Sequence, residues 1–344
     1  MKRTLFGVVI LTVLAVGAAL AADKYVFKAG DPSLKEWLLP DQVPHPADNQ
    51  PNGARVALGH NLFFDPRLSG DGNMSCATCH NPALGWSDGL PTGRGVKSMV
   101  LGRASPTVIN TGYNSIQMWD GRKSTLEEQA MGPMEATVEM NMDTTRLFRW
   151  LNQSSGYKAM FAKAYPGEAI DAKTVSKAIA SFERTAVSNN SPFDRWVKGD
   201  ATAMTERQVN GFKLFAGKAN CAACHSGPNF TDNGFHNVGL ASWGAAEPDM
   251  GRYAHKPIAL MKGAFKTPTV REAERTAPYF HDGSAKTLME VVEHYAKGGV
   301  VKTNLSPNMK PLDLDTQEKE DLVAFMRALT SPFMSVAVPE LPRD

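Results

Sequence analysis

Cys76-Ala77-Thr78-Cys79-His80 and, 145 positions further on, Cys221-Ala222-Ala223-Cys224-His225 are two copies of C-x-x-C-H, and together they use all four cysteines of the chain. Two thiols at this spacing can each add to a vinyl group of one haem while the adjacent imidazole reaches its iron, so the motif reads as covalent c-type haem attachment. Two other readings use the same residues. Four cysteines in an exported chain could form two disulfides, and a lone C-x-x-C could be a redox dithiol, but neither has a reason to place a His after the second Cys of both pairs. The expectation is two covalently bound c-type haems, attached at Cys76, Cys79, Cys221 and Cys224, with His80 and His225 on the irons.

The amino terminus agrees with export. Lys2 and Arg3 precede an apolar run over 5–20, and Ala19-Leu20-Ala21-Ala22 closes it with small residues, the three parts of a secretory signal peptide cleaved after Ala21. A membrane anchor would need about 20 apolar residues, and this run is shorter and ends in alanines. No Cys follows to take a lipid. The mature protein is therefore expected in the periplasm without a membrane anchor, and thioether attachment of haem takes place outside the bacterial cytoplasm.

Removing 21 residues from 344 leaves 323, more than one core usually holds, which points to two domains, 22–200 and 201–344. Lys and Arg number 37 against 35 Asp and Glu, and no basic tract interleaves with aromatics, which argues against nucleic acid as a partner. Most of the 16 methionines read as adaptable core fillers.

Along the chain, 23–52 holds five prolines and little periodicity and reads as an extended arm on the surface. Val56, Leu58, Leu62 and Phe63 make a short helical stripe, and the loop 68–72 then delivers the first haem motif. Residues 81–116 are rich in Gly and Pro and read as loop over the haem face. Helical patterning covers 125–131, 144–151 and 172–187, and Asn189-Asn190-Ser191-Pro192 breaks it. Thr205-Glu206 starts a helix carrying Val209, Phe212 and Phe215 on one face, and 288–295 and 316–329 read as amphipathic helices. No strand pattern is sustained. The fold class is mainly α, with two tandem cytochrome c-like haem domains.

The sixth position on each iron decides whether a haem carries electrons or activates a small molecule. Candidate ligands there are His45, His60, His236, His255, His281, His294 and the methionines. Most lone histidines are structural residues with satisfied hydrogen bonds, so the residue types alone leave these positions open.

The segments Cys79-His80-Asn81-Pro82, Asp88-Gly89-Leu90-Pro91-Thr92, Ser105-Pro106-Thr107-Val108-Ile109-Asn110, Trp119-Asp120-Gly121-Arg122, Glu128-Gln129-Ala130 and Val138-Glu139-Met140 occur in that order. Phe265-Lys266-Thr267-Pro268-Thr269 and Pro278-Tyr279-Phe280-His281-Asp282-Gly283 continue the series. Together they resemble the bacterial di-haem cytochrome c peroxidases over nearly the whole mature chain. That resemblance implies a peroxide-reacting first haem, an electron-accepting second haem, Trp119 between them as a relay, and Glu139 and Gln129 on the open face of the first. A carboxylate there can take a proton from peroxide and return it to the departing oxygen.

The chain departs from that pattern twice. Family members carry a His shortly after the Asp-Gly-Leu-Pro-Thr segment that caps the resting first haem, whereas 93–103 holds none here and the aligned residue is Val96. At the second haem the usual Met aligns with Tyr295, with His294 as a rival one step away. A thioether raises a haem potential, whereas a phenolate donates charge to the iron. Both departures are similar to the MauG-like branch of the family. A family calcium site implies Ca²⁺ bound by the carbonyls of Thr276 and Pro278, weakened here because its side-chain amide ligand aligns with Ala104.

Three functions follow. The first is a peroxidase drawing electrons from a small periplasmic donor, a cytochrome c or a copper protein. The second is a MauG-like enzyme that uses peroxide to oxidise residues of a partner protein. The third, a non-enzymatic di-haem electron carrier, would need both irons fully ligated, and the missing His near Val96 counts against it.

Overall fold

The computed structural model describes residues 24–333 and 335–343; the expected signal peptide lies outside the described residues. Helix α1, Gly53–Phe64, starts at Asn52, whose side-chain oxygen accepts the N–H groups of Ala54 and Arg55, and stops at Asp65 before a proline. It buries Leu58, Leu62 and Phe63 and crosses α6, Ala172–Glu183. A Cβ at position 59 would lie 1.9 Å from the Ala178 carbonyl oxygen, so only glycine permits this approach.

The second half repeats the device. Helix α8, Glu206–Ala216, opens with a capping box in which the Thr205 hydroxyl accepts from the Gln208 N–H and the Gln208 side chain accepts from the Thr205 N–H. It crosses α10, Thr316–Ala328, at Gly211, where a Cβ would meet the Asp321 carbonyl oxygen, again at 1.9 Å. In each half a glycine-notched helix runs into a haem motif and packs on a later helix. The motifs themselves form single turns, α2 over Cys76–Cys79 and a 3₁₀ turn over Cys221–Ala223.

The remaining helices are α3 Leu126–Glu135, α4 Thr144–Gln153, α5 Ser155–Ala164, α7 Pro192–Val197 and α9 Leu288–Ala296. Among the described residues the only strands are Phe235–His236 and Phe265–Lys266, paired antiparallel. Two helices escaped the periodicity. The periodicity predicts no helix over 155–164, yet the Ser154 hydroxyl caps α5 there by accepting from the Tyr157 N–H. Pro192 read as a stop, yet it sits in the first turn of α7, where a missing N–H costs nothing.

The first core gathers α1, α4, α5 and α6 around Leu58, Phe63, Tyr157 and Phe161. The second gathers α7, α8, α9 and α10 around Phe193, Phe212, Phe230 and Phe325. The surface arm is corrected: Leu34 and Trp37 are 0 % exposed, and Trp37 meets Phe212 edge-on with ring centroids 5.4 Å apart. An indole in water forfeits the burial of a large apolar ring, so the arm docks despite its prolines. The other terminus crosses back, since Ala337 and Pro342 offer carbonyls to His60 Nε2 at 2.9 Å and Arg67 Nη2 at 3.0 Å. Each half is thus closed by the far end of the chain.

Candidate functional site

None of the four cysteines is in a disulfide, and all are partly buried. Burial pushes Cys76 and Cys221 up to about 12 and, with the nearby carboxylates of Asp88 and Glu139, Cys79 up to about 11. His80 Nδ1 lies 3.3 Å from the Trp86 carbonyl and His225 Nδ1 3.0 Å from the Phe230 carbonyl. A carbonyl only accepts, so each Nδ1 holds the proton and each Nε2 keeps its lone pair. Burial lowers both pKa values and favours neutral imidazole. Thiols and a pre-set imidazole tautomer fit a covalently attached haem at each motif.

Beside the second motif lies a cavity of about 290 Å³, lined among others by Cys221, Cys224, His225, Leu288, Tyr295 and Met309. Tyr295 projects into it from α9, and burial, with a smaller effect of the neighbouring Cys224 and Cys221, raises its phenol above the ordinary value. Its rival is held elsewhere: His294 Nε2 bonds the Val238 carbonyl at 2.8 Å and its ring packs edge-on against Phe280. His236, another candidate, pairs with Asp232 at 2.9 Å and with the Ser306 hydroxyl at 3.0 Å, at the rim where Cys224 sits. The pair raises the His236 pKa to about 10. His45, His60 and His255 bond the Asn49 carbonyl, the Ala337 carbonyl and Asp120.

Around the first motif, Cys79 Sγ lies 3.6 Å from the Arg94 carbonyl, and the Val96 N–H donates to the Glu139 carbonyl at 2.8 Å. Val96 is buried, and a Cβ on Gly95 would collide with the Val138 carbonyl oxygen at 1.7 Å, so 94–96 is locked against 138–139. Burial raises the Glu139 carboxyl, opposed by the Arg122 charge. Gln129 sits half-buried on α3 one turn before Pro133, whose carbonyl accepts the Met140 N–H, so one helix end positions both residues.

Trp119 lines the cavity beside the second motif. Its indole N–H donates to the Ala104 carbonyl at 2.9 Å and its own carbonyl accepts from the Lys266 N–H at 2.7 Å. Ala104 and Trp119 line the cavity of the second motif, while the neighbouring Ser105 hydroxyl reaches the Cys79 thiol. His281 stacks on Phe265 with centroids 3.5 Å apart and faces Trp119 edge-on. Ala104 thus gives its carbonyl to Trp119 and its N–H to the His281 carbonyl.

Sequence reasoning missed Glu183. It is buried at the end of α6, one oxygen has no partner, and it acts electrostatically on Cys76. Burial above all raises its pKa to about 8. The available signal was a carboxylate at the end of an otherwise apolar helix face. Between the ordinary value of 4.5 and about 8 the folded protein binds a proton that the unfolded chain releases, so stability falls as pH rises through that window. Wild type is expected to lose up to ~1.4 kcal/mol per pH unit from pH 6 to 8, and Glu183→Gln to lose less. Denaturant titrations at three pH values check this; parallel slopes for the two proteins would refute it.

A family model described as di-haem cytochrome c peroxidase matches residues 53–202, and one described as cytochrome c matches 208–330. The chain is 45% identical to the methylamine utilization protein MauG of Methylorubrum extorquens, across 88% of its own length and 86% of that protein's. It is 33% identical to cytochrome c551 peroxidase of Nitrosomonas europaea, across 99% and 96%. Among solved structures, a MauG-like protein associated with microbial copper homeostasis aligns with a TM-score of 0.79 at 31% identity, covering 86% of this chain and 95% of that one.

Proposed function

From the premise that the chain belongs to the di-haem cytochrome c peroxidase and MauG family, whose members are oxidoreductases, we propose a periplasmic peroxide-dependent oxidoreductase with an open first haem and a His225/Tyr295-ligated second haem. The asymmetry of the two sites carries this reading. Val96, the residue aligned with the family's capping His, is buried and backbone-locked against Glu139, while a phenol faces the cavity of the second motif. Among the described residues no helix is long and apolar enough to cross a membrane.

When bound, the haems supply redox-active iron, and the chain supplies the rest. Glu139 takes a proton from H₂O₂ and delivers it to the departing oxygen, and burial, opposed by the Arg122 charge, raises its carboxyl above the usual carboxylate range. Gln129 orients peroxide or water through its amide. Trp119, fixed at both its indole N–H and its carbonyl, connects the two sites. His80 and His225, each with Nδ1 turned to a backbone carbonyl, would hold the irons through Nε2. The electrons come from a small periplasmic donor, a cytochrome c or a copper protein, and Ca²⁺ is held only weakly at Thr276 and Pro278.

A second reading, oxidation of residues on a partner protein, is favoured by Val96 and Tyr295 together and by the 45% identity to MauG. Both readings start from an open first site. The as-isolated oxidised protein is expected to show a high-spin ferric EPR signal beside a low-spin one and to react with H₂O₂ without prior reduction. Two low-spin signals, with reaction only after a reductant is added, would overturn the assignment.

A further inference from the structure

Two segments of the second half carry cations and no acid. Between Asp249 and Glu272 the chain has Arg252, Lys256, Lys262, Lys266 and Arg271, and between Glu293 and Asp313 it has Lys297, Lys302 and Lys310. Arg271, paired with Asp194, and Lys266 are buried, so the charges that reach solvent are Lys256, Lys297, Lys302 and Lys310, with Arg252 and Lys262 partly exposed, on a chain whose formal net charge is +2. Tertiary structure joins the two segments. Asn304 Nδ2 donates to the Ala259 carbonyl at 3.3 Å and to the Lys262 carbonyl at 2.8 Å, and the Val300 and Val301 N–H groups share the Gly239 carbonyl.

On this joined surface three large apolar side chains face solvent: Ile258 is 47 % exposed, Leu260 55 % and Val300 58 %. Lys256, Lys297 and Lys302 are exposed beside them in sequence, and Lys262 is partly exposed. The surface backs onto the second site. Val238, next to the shared Gly239, lines that cavity together with Tyr295, and its carbonyl holds His294.

We propose that this surface docks a small acidic electron-donor protein next to the second haem site, a proposal that rests on the function given above. Long-range attraction to the lysines steers an acidic partner, and an exposed apolar centre adds short-range affinity without the large dry interface that would slow release. Val238 and Tyr295 both line the second cavity, so a partner seated here lies against the wall of that site.

The holoprotein is tested with plastocyanin, an acidic copper protein, and with mitochondrial cytochrome c, a basic one. Two readouts are used: NMR shift perturbation of cadmium-substituted plastocyanin, which needs no turnover, and peroxide-dependent oxidation of each reduced probe. Plastocyanin is expected to bind and to be oxidised faster than the basic protein, with a rate that falls as salt rises. The Lys256→Glu/Lys297→Glu variant should lower its kcat/KM by about ten-fold, the low end of steering effects, and erase the shift perturbation. Leu260→Ser should weaken binding with little change in salt dependence. Visible haem spectra and the direct reaction with peroxide should stay at parent values in both variants.

If the parent fails to react with peroxide yet binds cadmium plastocyanin in a lysine-dependent way, the enzymatic reading fails and the docking surface stands. Equal or better binding of the basic protein, or no effect of charge reversal, would overturn the surface. So would lysine-dependent binding to phosphatidylglycerol vesicles without binding to plastocyanin, which would make the patch a membrane contact.

Discussion

Glu139→Gln is expected to slow the reaction with H₂O₂ by ~10²–10⁴-fold, the usual contribution of general acid/base assistance, while both haems stay attached. Glutamine keeps the size and the polar character of the side chain. The backbone bond from the Val96 N–H to the carbonyl of residue 139 does not involve the side chain, so the lock on 94–96 should persist. What is lost is an exchangeable proton on a carboxyl whose pKa burial has already raised. Stopped-flow absorbance at the first haem measures the rate directly, and a variant reacting at the parent rate would remove this carboxylate from the chemistry. Trp119→Phe should behave differently. It deletes the indole N–H that bonds the Ala104 carbonyl, so the first haem should still react while communication with the second is impaired.

Arg271→Met is expected to cost about 3–5 kcal/mol of stability, because removing one partner of a buried ion pair strands the other charge. Arg271 is almost fully buried, with its Nη1 2.9 Å from Asp194 Oδ1. The same guanidinium donates to the Pro228 carbonyl at 2.8 Å and to the Trp37 carbonyl at 3.0 Å. It therefore ties the arm and α7 to the loop whose Phe230 carbonyl orients His225. Methionine fills similar volume but satisfies none of these acceptors. A lower denaturant midpoint together with a disturbed spectrum of the second haem is the expected result; an unchanged midpoint would show that water or a neighbour replaces the clamp. Asp194→Asn is a less clean probe, since Asp194 also accepts from the Ser191 N–H and hydroxyl at the start of α7.

The haem motifs were legible because covalent attachment demands fixed residue types at fixed spacing, and no tertiary context is needed to read them. Helices α6, α9 and α10 were legible because long apolar stripes impose their own period. Helices α5 and α7 were not, since they start on the serine caps Ser154 and Ser191, with Pro192 following in α7, and Ser and Pro mark breaks and starts alike. The composition of the arm was read as surface because five prolines hide one tryptophan whose burial outweighs them.

By itself, then, the sequence determined two helical haem units, their order, and the residue types offered to each iron. Tertiary structure alone decided which of two adjacent residues faces the second cavity, because the Val238 carbonyl, 56 residues away, binds His294 and leaves Tyr295 turned inward. It alone placed Val96 against Glu139 and brought Ala104 beneath the indole of Trp119. It alone exposed Glu183 as a buried carboxylate beside Cys76. These are contacts between distant segments, and their energies depend on burial and hydrogen-bond geometry that no local pattern encodes.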